Sequence, residues 1–107
     1  MQPMFNGSRW LPAQDGRSIA VVSPDDGEAF EQIPCGGAHE VALAVAAARA
    51  ALDRLLAATE RGRSLDMIGE AVLAHEEDRA QLAARATGKP MATARNDIKV
   101  QARYIKF

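Results

Sequence analysis

Residues 84–97 read "ARATGKPMATARND", and the Gly88-Lys89 pair near their centre admits two readings. One is half of a phosphate-binding loop; the other is the stop of one helix followed by the start of the next. A phosphate loop of the GxxxxGK[ST] kind needs a glycine five residues before the second glycine, so that backbone N–H groups can close on the phosphates. It also needs a hydroxyl after the lysine to hold Mg²⁺. Those positions hold Ala83 and Pro90. The stretch therefore reads as punctuation: Gly88 supplies a left-handed helix C-cap and Pro90 a first-turn residue. Two helices meet here.

Apolar spacing extends helices outward on both sides of this junction. The following helix, about 90–107, carries Met91, Ala94, Ile98 and Ile105 on one face with Tyr104 beside it. It shows no C-capping Gly or Asn, and the chain stops at Phe107 with the stripe still running, which predicts a piece of a longer protein. Few large side chains precede the stripe to cover it, so it is expected to lack cover. The preceding helix is read from Leu65, Ile68, Val72, Ala83 and, at the edge, Leu82, after a break at "TERGRS" (59–64). An earlier helix runs from residue 38, with Val41, Ala44, Val45, Ala48, Leu52, Leu55 and Leu56 on one stripe. Arg49 and Asp53 fall off that stripe and suit solvent.

Residues 1–37 have another character. They hold four of the 5 prolines and five of the 8 glycines, and short β-type runs: "MFN", "RW", "SIAVVS" and "AFEQIP". Turn signals at "NGS", "QDG" and "PDDG" separate them, with Asn6-Gly7 and Asp26-Gly27 placed to reverse the chain. Short hairpins followed by three helices make an α+β chain, with a β-hairpin region over 1–37 and a helical region over 38–107.

A length of 107 residues allows one domain and not two. Alanine accounts for 22 of the hydrophobic residues, which favours helix but leaves a thin core. A net charge of -1 gives no basic footprint for nucleic acid. The single cysteine, Cys35, permits no internal disulfide. "VALAVAAA" (41–48), the longest apolar run, is too short to span a bilayer, and the N-terminus lacks the pattern of a secretory signal. These features predict a cytoplasmic chain with neither nucleic-acid nor membrane partner.

The chemistry-bearing residues do not converge. Cys35 and His39 are four apart, but a thiolate and its base also need a third, orienting group. His75, in "LAHEED", has acidic neighbours and no second His or Cys nearby to complete a metal site; a solvated acidic face explains it. Gly36-Gly37 precedes a helix without the GxGxxG spacing, and Asp25-Asp26 sit in a turn. No catalytic, cofactor-binding or metal-binding residue is assigned.

In order, the blocks are "FNGSRW", "GRSIAVVSPDDGEAFEQIPCGG", "EVALAVAAARAALD", "TERGRSLDMIGEAVLAHEEDRAQLA" and "TGKPMATARNDIKVQARYIKF". This succession resembles the N-terminal segment of the aldehyde dehydrogenase superfamily over essentially the whole chain. The resemblance implies a fragment of that α/β fold and a parent enzyme that oxidises an aldehyde to a carboxylic acid with NAD or NADP. In that family a cysteine attacks the aldehyde, hydride passes to the nicotinamide, and a glutamate activates the water that releases the acid. Those residues and the cofactor segment lie C-terminal to the matched region, and Cys35 does not correspond to the nucleophile. The resemblance therefore implies a structural segment, inactive alone, with the rest of the dehydrogenase chain as its partner and a homo-oligomeric parent. Family members usually carry an acidic residue before Thr-Gly-Lys, which in some helps hold a monovalent cation with carbonyls of the strand matching Val21-Val22. Ala86 stands there and supplies no carboxylate. Arg79 stands where the family tends to place a leucine, and the tryptophan often found after the first helix is absent. Two alternatives are an independent helical interaction module and one half of a split enzyme completed in trans.

Overall fold

The computed structural model describes residues 1–54 and 57–106. In chain order it contains β1 (Met4–Asn6), β2 (Arg9–Leu11), β3 (Ser18–Val22) and β4 (Ala29–Pro34), then α1 (Ala38–Leu52), α2 (Ala58–Ala74), α3 (Glu76–Thr87) and α4 (Met91–Lys106). The α+β class and the hairpins-then-helices order follow the sequence reading. Leu55 and Leu56 of the first stripe, and Phe107, lie outside the described residues.

The elements group into two compact units. The first holds both hairpins and α1, and the second joins the turn Ser23–Gly27 to α2, α3 and α4.

In the first unit β1 and β2 pair antiparallel, with Asn6 opposite Arg9 across a two-residue loop. Gly7 and Ser8 both take positive φ, 56° and 64°. That is the geometry whose twist matches the flanking strands. Phe5 faces Trp10 across the ladder with ring centroids 5.0 Å apart, although both rings remain exposed. β3 and β4 pair from Ser18 opposite Pro34 to Val22 opposite Ala29, with one irregularity between Val21 and Val22. Ala13 is the buried apolar residue of this unit among the described ones, and α1 has none.

The second unit has the apolar cluster: Val72 of α2, Ala80 of α3, and Ala94, Ile98 and Ala102 of α4, with Met91 and Ile105 packed against it. The α4 stripe expected to lack cover is thus covered by α2 and α3. Small residues make this possible. A Cβ added at Gly69 would lie 3.2 Å from the carbonyl oxygen of Ala102, so α2 and α4 approach closely, and a few short side chains fill the gap. Exposure instead falls on Leu65, Met67, Ile68 and Leu82.

Two further differences concern the helix ends. Thr59–Ser64 do not break the chain; they form the first turns of α2. Glu60 turns back to accept from the Ala57 N–H, satisfying an otherwise unpaired amide, and Ser64 Oγ donates to the Glu60 carbonyl oxygen. The second predicted helix is two helices, divided at His75, whose φ of -113° and ψ of 27° leave the helical range. Glu76, Glu77 and Asp78 then occupy the first turn of α3, where the positive end of the helix dipole favours carboxylates.

Candidate functional site

At the Gly88-Lys89 junction the groups a phosphate would need are already engaged. Gly88 has φ 70° and caps α3, its N–H donating to the Ala84 carbonyl oxygen at 2.8 Å. Lys89 Nζ pairs with Asp97 Oδ2 at 2.6 Å. The Thr87 hydroxyl donates to the Ala83 carbonyl oxygen at 2.6 Å. Pro90 precedes α4, and its carbonyl oxygen accepts from the Ala94 N–H. The glycine is further fixed by the turn Ser23–Gly27, because a Cβ at position 88 would stand 3.0 Å from Pro24 Cγ. Positive φ and lack of space both require glycine here.

Ala86 lies beside this junction in a surface groove lined by Arg79, Leu82, Ala83 and Ile98. Its methyl group offers no oxygen ligand to a cation, so position 86 itself does not fit the family's carboxylate role.

The acidic start of α3 faces solvent, with His75, Glu77 and Asp78 exposed and Glu76 half-buried, and two of its carboxylates pair with α4. Glu77 takes two hydrogen bonds from Arg95 of α4, from Nε at 2.8 Å and from Nη2 at 2.9 Å, and Glu76 lies 3.5 Å from Lys99 Nζ. The Arg95 guanidinium holds the Glu77 carboxyl below its ordinary range, and Glu77 in turn raises Arg95. These pairs align α3 with α4. The His75 carbonyl oxygen accepts from the Arg79 N–H at the α3 start. Among the described residues no group of three or more His, Cys, Asp or Glu is placed to hold a metal ion.

Cys35 and His39 stay apart in role. Cys35 is half-buried after β4, its backbone N–H donating to the Arg17 carbonyl oxygen, while His39 is exposed in the first turn of α1. Among the described residues no hydrogen bond joins the thiol to the imidazole. Asp25 and Asp26 occupy the Ser23–Gly27 turn, closed by the Gly27 N–H donating to the Ser23 carbonyl oxygen at 2.9 Å.

The Gly36-Gly37 turn does receive an anion, and it is the protein's own. Glu40 Oε2 accepts from the Gly37 N–H at 2.8 Å, and Oε1 accepts from the Gln14 N–H at 2.9 Å. These two backbone donors depress the Glu40 carboxyl below its ordinary value. Asn6 Nδ2 donates to the Glu40 carbonyl oxygen at 3.1 Å. Beside this residue is a hollow of about 120 Å³ whose walls include Met4, Leu11, His39 and Leu43. That is smaller than the roughly 300–1,000 Å³ usual for small-molecule pockets. The sequence reading missed Glu40. Its signal was the spacing, a glutamate three residues after the residue preceding a helix.

The comparisons with known proteins agree with one another. The model of the Aldehyde dehydrogenase family matches residues 10–107. The chain is 35% identical over 108 residues to succinate-semialdehyde dehydrogenase [NADP(+)] of Escherichia coli strain K12, covering 99% of this chain and 22% of that protein. It is likewise 35% identical to glutarate-semialdehyde dehydrogenase of Pseudomonas putida, with coverage of 99% and 22%. The crystal structure of an NAD-dependent aldehyde dehydrogenase from Sinorhizobium meliloti superposes with a TM-score of 0.91 at 32% identity, covering 98% of this chain and 22% of that one. The chain thus spans about a fifth of the length of the curated relatives it matches. With the family model matching almost all of its residues and the fold superposing on a solved relative, the chain belongs to the aldehyde dehydrogenase family, whose N-terminal part it covers.

Proposed function

We propose that this chain is the N-terminal segment of an NAD(P)-dependent dehydrogenase that oxidises an aldehyde to a carboxylic acid, and that the segment is structural. The dinucleotide, when bound to the parent, would accept hydride from the aldehyde carbon; residues of this segment would take no part in that transfer. Its cofactor-binding, metal-binding and catalytic residue sets are proposed empty. The observation that carries this reading is the engagement of the Gly88-Lys89 pair. The Gly88 N–H caps its own helix and the Lys89 ammonium holds Asp97. Relatives named for NADP(+) and for NAD support either cofactor for the parent.

In this reading the partner of the segment is the remainder of the dehydrogenase chain, in a parent that assembles as a homo-oligomer. The exposed apolar side chains of α1, Val41, Val45 and Leu52, are the surface it would cover. No nucleic-acid or membrane partner is proposed. No helix among the described residues is long and apolar enough to cross a membrane.

Calorimetric titration of the 107-residue chain with NAD⁺ and NADP⁺ tests the reading. No binding heat is expected from either cofactor. Micromolar affinity for one of them would overturn the structural assignment.

A further inference from the structure

Polar rather than apolar contacts tie the first unit together. α1 contains no buried residue, and Phe5, Trp10, Val41 and Val45 are all exposed, so little apolar burial links α1 to the first hairpin. Beside the approach of Ala47 to Gly7 and the hollow between Met4, Leu11 and Leu43, the hydrogen bonds of this link converge on one residue. Glu40 accepts from Gly37 in the lead-in to α1, from Gln14 in the connection between β2 and β3, and through its backbone carbonyl from Asn6 at the end of β1. A helix start, a connecting segment and a hairpin thus share one acceptor residue.

We propose that Glu40 is a clasp through which the first hairpin, the 12–17 connection and the α1 start open and close as one cooperative unit. The carboxylate has two oxygens, and each holds a different backbone amide. Losing the side chain frees both donors at once. The Gln14 amide then keeps no acceptor in α1, and the connection can lift with the hairpin it follows. Local opening of this kind involves contiguous segments with few buried apolar contacts, as this unit has. The role is conformational and is separate from the proposed function of the segment.

Hydrogen exchange resolved to single amides in the complete protein is the test, at constant neutral pH. Glu40→Ala is expected to speed exchange at Gln14 and Gly37 by about tenfold or more, because a charge-assisted acceptor is lost at each. Amides of β1 and β2 should speed in step. Glu40→Gln retains one carbonyl oxygen and should free one of the two amides while leaving the other protected. If Glu40→Ala does not fold, Asn6→Ala supplies the second arm, predicted to raise exchange across 4–11 and at Gln14 together. Unchanged protection at Gln14 in Glu40→Ala or, where that variant does not fold, in Asn6→Ala would overturn the clasp, as would faster exchange in Glu40→Ala confined to Gly37.

Discussion

Gly88 carries a left-handed φ of 70° and has Pro24 Cγ 3.0 Å from where a Cβ would stand. Gly88→Ala is therefore expected to cost about 1–2 kcal/mol, from the left-handed backbone alone, with the contact to Pro24 adding to it. Urea unfolding of the two proteins measures the difference, and equal midpoints would contradict it. Glu40 gives a prediction in pH. Its carboxyl is depressed by the Gln14 and Gly37 backbone N–H groups, with His39 adding a smaller Coulombic pull in the same direction. A depressed folded value means that this carboxylate contributes stability above its unfolded range and loses that contribution as pH falls through the folded value. Arg17, also close enough to interact with Glu40, stays positive throughout that range and is held mainly by Asp15. The stability difference between wild type and Glu40→Gln should hold steady from neutral pH down to the ordinary carboxylate range, then shrink in acid. A difference that grows in acid would contradict the assignment. Gly88 was legible in the sequence because glycine before Lys-Pro has few structural uses. The tie from Glu40 to Gln14 was not, since no local pattern announces a bond spanning 26 residues.

Strand spacing and turn residues transferred almost unchanged from sequence to structure, because short hairpins are set by local chemistry: glycines at positive φ and alternating apolar residues. Helix boundaries transferred less well. "TERGRS" looked like a break because it lacks large apolar residues, yet the Glu60 cap lets the helix begin before it. The division at His75 was hidden because Val72 and Ala80, on either side of it, both serve the same cluster. The α4 stripe was read correctly, but its cover was not. Large side chains seemed necessary, whereas Gly69, Ala80, Ala94 and Ala102 achieve burial by close approach. Ile98, 7% exposed, is the large aliphatic residue at the centre of that cover. Ile98→Ala should cost about 2–4 kcal/mol, and Leu65→Ala, at a residue 46% exposed, less than about 1 kcal/mol. Denaturant unfolding of both variants checks the order. A larger loss at Leu65 would place the packed face of the helices elsewhere.

At the scale of the whole molecule, the family was legible because five blocks stand in the right order, a signal that no single motif carries. The compact units were not, because the Ser23–Gly27 turn joins the helices through Pro24 beside Gly88, a contact between residues far apart in sequence. The central claim is that this segment supports a dehydrogenase without performing its chemistry. Cys35 and His39, the nucleophile and base the sequence offers, and Lys89 beside Gly88 are not joined to one another by a hydrogen bond among the described residues. The most direct measurement is the kcat for aldehyde oxidation by the complete protein carrying Cys35→Ser, His39→Ala and Lys89→Met together, followed by formation of the reduced cofactor. A kcat within about twofold of wild type is predicted, with any loss appearing as lower thermal stability. A fall of about a hundredfold or more in kcat, with folding intact, would contradict the claim.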